Sequence, residues 1–339
     1  GGSGGEAVKQ RMLGRTGIEV SPMGIGAMSF AEFYGPTTEE NSFAILAAAL
    51  DAGVNFIDTS DIYGMGRSEN AIGQFLRDNP GAREEFVICT KGGIVNDARG
   101  RRFDNSPEYL ESALDASLQR MGIESVELYY VHRREEARPI EDVVETLEGF
   151  VKKGKIRSYG FSEIAPSSLR QAVVGGPNLA AVQSEYSLAT RSPELGLVQA
   201  CAELHVSLVA FSPVGRSMLT DHPVPQAVAA TLSFLGQNPR FQPEAYRANR
   251  AISDGFRRLA AEMEVPAAGL AMAWLLHRGE HILPIPGTRS VSHFKELVRG
   301  CTLALTPEDM ARIETILPIG WAHGDRYSAA QWSGIERFC

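Results

Sequence analysis

The sequence is poor in cysteine, and the few it has are widely separated. Its 339 residues include four cysteines, Cys89, Cys201, Cys301 and Cys339, with no C-x-x-C pair among them. This spacing indicates neither a disulfide framework nor a zinc site. The seven histidines also lack H-x-x-x-H or similar ligand spacing, so we predict no metal. Reducing cytoplasm is the simplest compartment for such a chain.

Long apolar runs and strong net charge are absent as well. Hydrophobic residues make up 44% of the chain, but no run reaches the roughly 18 residues of a membrane-spanning helix. A net charge of −8 argues against nucleic acid or a membrane surface as a partner. Residues 1–11, GGSGGEAVKQR, have no apolar signal core. We predict that they are a disordered expression remnant before a single domain, 12–339.

Strand-like and helix-like patterns alternate along most of that domain. A hairpin-like start (13–21) precedes eight apolar runs, which are typical of strands buried on both faces: 23–28, 54–59, 86–91, 125–132, 156–162, 179–186, 206–213 and 281–287. Most of these runs are followed by a helical pattern. Eight such units predict an α/β protein with a (β/α)8 TIM barrel. A doubly wound sheet is the alternative, but its G-x-G-x-x-G fingerprint is missing after the first strand.

Two irregular segments stand out from this alternation. Between the seventh and eighth runs lies a Pro/Gln/Asn-rich loop (216–243), with helical patterns near 244–263 and 266–278. The tail, 318–339, is aromatic and irregular. Long excursions at the catalytic end of a barrel are usually functional. We therefore expect extra helices and loops at that face, with the tail covering the site.

Polar residues end several predicted strands, where a barrel places its chemistry. Asp58 and Lys91 end neighbouring strands and can form an ion pair, either as a structural closure or as part of a site. Tyr63 is within loop reach of both, and a nearby ammonium would lower the pKa of its phenol. His132 ends the next strand. Together the four residues suit proton transfer to a carbonyl oxygen.

Two glycine-bearing loops follow the last two strands. PIPGTRS (284–290) opens a helix whose N-terminal N–H groups suit an anion, and Arg289 could contact a phosphate directly. An ordinary strand-to-helix turn is the alternative. FSPVGRSML (211–219) is a second such loop. Two loops side by side suit a pyrophosphate better than a single phosphate.

Taken together, these segments resemble the aldo-keto reductases, NAD(P)H-dependent barrel oxidoreductases, and most closely their bacterial, plant and fungal branch of aldehyde and ketone reductases. The matching segments follow family order over nearly the whole chain: FIDTSDIYG (56–64), ICTKGG (88–93), LYYVHR (128–133), GKIRSYGFSE (154–163), AVQSEYSL (181–188), VAFSPVGRSML (209–219), NPRFQPE (238–244), LAMAWLL (270–276), PIPGTRS (284–290) and GDRY (324–327).

The resemblance implies a catalytic tetrad of Asp58, Tyr63, Lys91 and His132. Tyr63 would be the general acid, Lys91 paired with Asp58 would tune its pKa, and His132 would orient the carbonyl. Hydride would pass between a nicotinamide and an aldehyde or ketone, reversibly, so that the same site could act as an alcohol dehydrogenase. Asp61 matches no tetrad position and is predicted to be a solvated or capping residue.

The resemblance also implies NADP(H) as the cofactor. NAD(H) is possible, because Arg289 is the one basic side chain expected at the 2′-phosphate, with His293 as help. Ser162 and Gln183 would hold the carboxamide, and Phe211 would stack on the nicotinamide. Residues expected around the cofactor are Met28, Ser162, Gln183, Phe211, Ser212, Pro213, Val214, Gly215, Arg216, Ser217, Leu219, Pro286, Gly287, Thr288, Arg289, His293 and Glu296. Glu163 replaces an asparagine that is common in the family.

The substrate is expected to be a small carbonyl or alcohol compound, and the aromatic first loop favours an apolar or aromatic one. Its predicted contacts are Phe30, Phe33, Tyr34, Arg133 and Trp321. Two other interpretations are an aldolase or isomerase with a Schiff base at Lys91 and a non-catalytic nucleotide-sensing subunit. No oligomeric state is predicted.

Overall fold

The protein alternates short strands with longer helices, as seen in a computed structural model that describes residues 8–31 and 38–339. The strands are β1 (Arg11–Met12), β2 (Glu19–Val20), β3 (Ile25–Gly26), β4 (Phe56–Asp58), β5 (Val87–Gly92), β6 (Ile94–Asp97), β7 (Gly100–Phe103), β8 (Val126–Val131), β9 (Ile156–Ser162), β10 (Leu179–Glu185), β11 (Ser207–Phe211) and β12 (Ile282–Pro284). The α-helices are α1 (Glu39–Ala52), α2 (Arg67–Asp78), α3 (Ala82–Glu85), α4 (Pro107–Met121), α5 (Ile140–Lys152), α6 (Pro166–Val174), α7 (Leu197–Leu204), α8 (Gln226–Ala229), α9 (Pro243–Glu262), α10 (Ala267–Leu276), α11 (Val291–Arg299) and α12 (Pro307–Ile316).

Eight of these strands form one parallel sheet in the order β3-β4-β5-β8-β9-β10-β11-β12. The two ends of the sheet meet, because Gly24 N donates to Pro284 O and Gly26 N to Pro286 O, each at 2.9 Å. Gly26 permits this approach, since a Cβ there would lie 2.6 Å from Ile285 O. The closed parallel sheet confirms the predicted (β/α)8 barrel and excludes the doubly wound alternative.

Alternation along the strands sorts their side chains between two cores. In β4, Phe56 packs inside the barrel and Ile57 packs against the helices. In β5, Val87 and Cys89 likewise point inward and Ile88 outward. By the same alternation, the next inward position after Cys89 is Lys91, whose side chain points into the mouth of the barrel. The end of the barrel formed by the carboxyl ends of the strands therefore receives its polar residues from inward-facing positions.

The N-terminal hairpin of β1 and β2 closes the opposite end. Leu13 and Val20 are buried in the inner core with the strand residues. Arg11 pairs with Val20 in this hairpin, and its guanidinium donates to Leu276 O, Gly279 O and Ile282 O. Arg11 thus belongs to the fold, although we predicted that the domain begins at Met12.

The helices begin and end where the sequence carries capping signals. Ser106 caps α4 by accepting from Tyr109 N at 3.2 Å, with Pro107 as the first helical residue. Gly53 ends α1 with a φ of 74°, a conformation that glycine adopts without strain. Within the described residues, no single helix is long and apolar enough to cross a membrane, although the bent pair α9 and α10 meets that test jointly by length and composition.

Two parts of the face at the carboxyl ends of the strands were less predictable from the sequence. The antiparallel hairpin of β6 and β7 directly after β5 had no recognised sequence signal. The predicted excursion between β11 and β12 contains α8, α9, α10 and the 3-10 turns Leu235–Gln237 and Pro239–Phe241. The tail after α12 has no further helix or strand in the described residues, as expected for 318–339.

Candidate active site

A buried chain of hydrogen bonds connects the ends of β4 and β5 with the loop that follows β4. Nζ of Lys91 lies 2.5 Å from Oδ2 of Asp58, 3.0 Å from Thr59 O and 3.0 Å from the phenol oxygen of Tyr63. All three protons of the ammonium are thereby used. Gln183 Nε2 donates to the other oxygen of Asp58 at 2.9 Å. The carboxylate thus has partners on both oxygens, which offsets the cost of its burial.

Burial dominates the proton affinities in this group. Burial raises the pKa of the Tyr63 phenol above its ordinary value, and the Lys91 ammonium only partly offsets that rise. Burial alone would lower the pKa of Lys91, but Asp58 and Tyr63 outweigh it and raise that pKa. Lys91 is therefore a cation and Tyr63 a neutral phenol at physiological pH. The lowered phenol pKa that we expected is not found, because desolvation exceeds the ammonium's attraction.

His132 follows β8 and faces Tyr63, with the two rings at right angles and their centroids 5.9 Å apart. Burial, helped by Lys91 and Arg133, holds the pKa of His132 well below its usual range, so its imidazole is neutral. Its Nδ1 lies 3.1 Å from Oγ of Ser60. This second contact orients the ring and leaves the other ring nitrogen for a ligand. Ser60 was missed, although it lies within FIDTSDIYG.

Tyr63 and His132 open onto a cavity of about 520 Å³ at the carboxyl ends of the strands. Most of the predicted cofactor positions line it: Met28, Ser162, Gln183, Phe211, Ser212, Pro213, Val214, Arg216, Ser217, Gly287, Thr288, Arg289, His293 and Glu296. Gly215, Leu219 and Pro286 belong to the same loops but do not line the cavity. Arg216 differs from the expectation that it contacts the cofactor, because its guanidinium forms an ion pair with Glu185 at 2.6 Å.

The backbone of the loop after β11 suits an anionic ligand. Ser212, Gly215, Arg216 and Ser217 all have positive φ values, 49°, 64°, 56° and 83°. Turns built with left-handed residues can present backbone N–H groups on a concave side, where anions bind, and Ser212, Arg216 and Ser217 of this loop line the cavity. Across the cavity, Arg289 precedes the N-terminus of α11. This loop and the N-terminus of α11 could hold the phosphates of a dinucleotide, and the aromatic side chains of Phe211 and Tyr63 line the same cavity.

The tail closes one side of the cavity through a buried ion cluster. The guanidinium of Arg326 contacts the carboxylates of Glu163 and Glu185, and Arg216 shares Glu185. Arg326 also lies over the ring of Tyr327, 4.5 Å from its centroid. Glu163 has a φ of 61°, a conformation that asparagine tolerates well. Its carboxylate contacts Arg326 of the tail. The glutamate that stands in place of the family's common asparagine therefore holds the tail in position.

The predicted substrate contacts are only partly found together. Arg133 lines the cavity and donates to Ser162 Oγ at 3.0 Å. Phe30 and Trp321 do not line it. Phe30 packs in the core, and the buried indole of Trp321 donates to Leu188 O at 2.9 Å. Phe33 and Tyr34 lie outside the described residues. The cavity is also lined by residues that we did not predict, among them Ile94, Arg101, His222, Phe234 and Gln331.

Comparison with known proteins agrees with this geometry. A model of the Aldo/keto reductase family matches residues 22–318. "Probable aldo-keto reductase 1" of Glycine max is 36% identical over 330 residues, covering 96% of this chain and 92% of that protein. "Aldo-keto reductase yakc [NADP(+)]" of Schizosaccharomyces pombe is 35% identical over 321 residues, covering 93% and 94%.

Solved structures give the same result for the fold. The holo form of aldo-keto reductase AKR11C1 from Bacillus halodurans superposes with a TM-score of 0.76 and 26% identity, over 91% of this chain and 96% of that one. Glycerol dehydrogenase AKR11B4 from Gluconobacter oxydans gives a TM-score of 0.79 at 23% identity, over 92% and 95%, and shows the fold alone. This chain belongs to the aldo/keto reductase family, whose members are oxidoreductases that use NAD(P)H on small-molecule carbonyl substrates.

Proposed function

We propose that the chain is a carbonyl reductase in which Tyr63 is the general acid, and that the same site runs in reverse as an alcohol dehydrogenase. The main observation behind the proposal is a pair of buried hydrogen bonds, from Lys91 to Asp58 and from Lys91 to the phenol of Tyr63, which lines the cavity. It holds a protonated phenol against a fixed cation. A proton leaving the phenol would leave a phenolate that this cation stabilises.

Each member of the group has a separate role in this proposal. The nicotinamide, when bound, supplies the hydride. Tyr63 donates the proton to the carbonyl oxygen, and neutral His132 donates a hydrogen bond to that oxygen and orients it. Lys91 stabilises the phenolate, and Asp58 holds Lys91 in position. In the oxidative direction Tyr63 would accept the proton of the alcohol, as microscopic reversibility requires.

The two alternatives are less well supported. A Schiff base needs a neutral, accessible amine, whereas the Lys91 side chain is 0% exposed and the Asp58 carboxylate raises its pKa. A sensing subunit without catalysis would need no proton donor at the cavity floor. The complete tetrad favours catalysis over that role.

The decisive test is NADPH oxidation with a panel of aldehydes, ketones and quinones, using Tyr63→Phe. We expect kcat to fall by about 10²–10⁴-fold, the usual contribution of a general acid, with NADPH affinity by fluorescence titration unchanged. Tyr109→Phe is the matched control, since Tyr109 bonds to Ile94 O away from the tetrad. Full activity of Tyr63→Phe would refute the assignment.

We further propose NADP(H) as the preferred cofactor, with Arg289 at the 2′-phosphate. Arg289→Ala should raise the KM for NADPH by at least about tenfold, because a charge-assisted contact to phosphate is lost, and should change the KM for NADH little. Arg299→Ala at the other end of α11 is the control and should change neither. Equal effects of Arg289→Ala on the two cofactors would contradict this role.

A further inference from the structure

Three side chains that are potential metal ligands meet at the outer rim of the cavity. His222 belongs to the segment after β11, and His293 and Glu296 lie on α11. His222 Nε2 and Glu296 Oε1 are 3.2 Å apart. The rings of His222 and His293 stack with their centroids 4.3 Å apart and their planes 19° apart. All three ligand atoms lie within 4.8 Å of one another.

One pair of these ligand atoms already has the spacing that a metal ion requires. Residues three apart on a helix project from the same face, so His293 and Glu296 form one side of the cluster. Metal–ligand bonds near 2.0–2.1 Å in a tetrahedron separate the ligand atoms by about 3.3 Å. The contact between His222 and Glu296 already has that separation. The His222 side chain is 49% exposed, so it can rotate to bring the third atom in, and an ion can enter from solvent.

We propose that His222, His293 and Glu296 form a binding site for a divalent cation of the Zn²⁺ class. Two imidazoles and one carboxylate with an open fourth position are a known zinc ligand set. The mixed nitrogen and oxygen donors disfavour Mg²⁺ and Ca²⁺, which take oxygen ligands. The sequence spacing hid the site, since His222 lies 71 residues before His293 and no local motif joins them.

The site has a consequence for the cavity, and this part rests on the proposed function. His293 and Glu296 line the cavity beside Arg289, where the adenosine end of the cofactor is proposed to bind. A metal ion that joins them to His222 would tie the segment after β11 to α11 across the cavity rim. Metal and NADP(H) would therefore compete, and each would weaken the other's binding by the same factor.

The test begins with the metal alone. Zn²⁺ titrated into the cofactor-free protein by calorimetry should bind with one ion per chain, and Co²⁺ should give the visible absorption of a tetrahedral site. His222→Gln keeps a hydrogen-bonding partner for Glu296 and should weaken binding at least about tenfold, since loss of even an outer-shell partner costs 10–100-fold. His205, which is exposed at the end of α7 and does not line the cavity, provides the control: His205→Asn should bind Zn²⁺ as the parent does.

Absence of saturable Zn²⁺ binding, or equal binding by His222→Gln and the parent, would overturn the site. In the second arm, NADPH binding is followed by fluorescence with and without Zn²⁺. The parent should lose NADPH affinity on adding Zn²⁺, and His222→Gln should not. If Zn²⁺ leaves the NADPH affinity of the parent unchanged, the proposed competition between metal and cofactor is wrong. A protein that binds Zn²⁺ but never NADPH would keep the metal site while refuting the proposed function.

Discussion

At the scale of single residues, burial governs the ionisable groups near the tetrad. Tyr63 is 8% exposed and Lys91 is 0% exposed, so neither pKa can be judged from the partner's charge alone. The ammonium favours phenolate, while desolvation opposes it and is the larger effect. A phenol that stays protonated is the form that the proposed general-acid role requires. A motif names these groups, but their proton affinity depends on how much water the fold removes.

Asp61 shows the same effect outside the tetrad. Burial and the neighbouring Glu69 raise its pKa to about 7, although Arg120 and a hydrogen bond from Ser60 oppose the rise. We expected a solvated or capping residue. Because the folded pKa is above the unfolded one, near 3.9, the folded state carries no penalty below about pH 4 and loses stability as pH rises toward 7.

Asp61→Asn should therefore stabilise the protein more at pH 8 than at pH 5. The added gain is about 2–3 kcal/mol at most, from 1.36 kcal/mol per pKa unit. Urea unfolding at the two pH values measures it, with exposed Asp51→Asn as the control. If Asp61→Asn shifts the free energy of unfolding equally at both pH values, the raised pKa is refuted.

At the scale of elements, the tail is held by charge as well as by packing. Arg326 is 4% exposed and contacts Glu163 and Glu185 together. The terminal Cys339 also donates from Sγ to Glu163 at 3.1 Å. The tail thus reaches the loop after β9 and the last residue of β10, and it brings Tyr327 to the cavity wall.

Arg326→Met should destabilise the protein by about 3–5 kcal/mol, because it leaves the buried Glu163 carboxylate without its counter-charge, whereas Glu185 keeps its ion pair with Arg216. Urea unfolding measures the loss, and limited proteolysis should show faster cleavage in the tail. Exposed Arg337→Met in the same tail should cost less than about 0.5 kcal/mol. Adding Glu163→Gln to Arg326→Met should restore part of the stability. No recovery in the double variant would show that the loss is not electrostatic.

At the scale of the whole molecule, closure of the sheet joins the two cores into one unit. The hairpin of β1 and β2 plugs one end of the barrel, and the tail packs at the other. Trp321 and Cys339 of the tail belong to the same core cluster as Trp274 of α10. The tail is therefore part of the barrel's packing and not an appendage.

Unfolding followed by far-UV circular dichroism and by tryptophan fluorescence should give coincident transitions, as expected when one cooperative unit unfolds. The fluorescence reports on Trp274 in the helical layer and on Trp321 and Trp332 in the tail. Trp332→Phe removes the less buried of the two tryptophans in the tail. In this variant the circular dichroism and fluorescence transitions should still have the same midpoint. A fluorescence change that precedes the loss of helix would show that the tail detaches on its own.

The sequence by itself determined the barrel, and it predicted that Asp58, Tyr63, Lys91 and His132 would meet at one end of it. Apolar runs alternate with capped helical patterns, and Asp58, Lys91 and His132 lie at or next to the ends of adjacent strands of the sheet, so local pattern was sufficient to predict their meeting. Only the tertiary structure decided the rest. The pairing of Arg326 with Glu163, the grouping of His222 with His293 and Glu296, and the burial of Trp321 join segments far apart in the chain. Such contacts, and the desolvation that sets the pKa of Tyr63 and Asp61, depend on packing that no local pattern encodes.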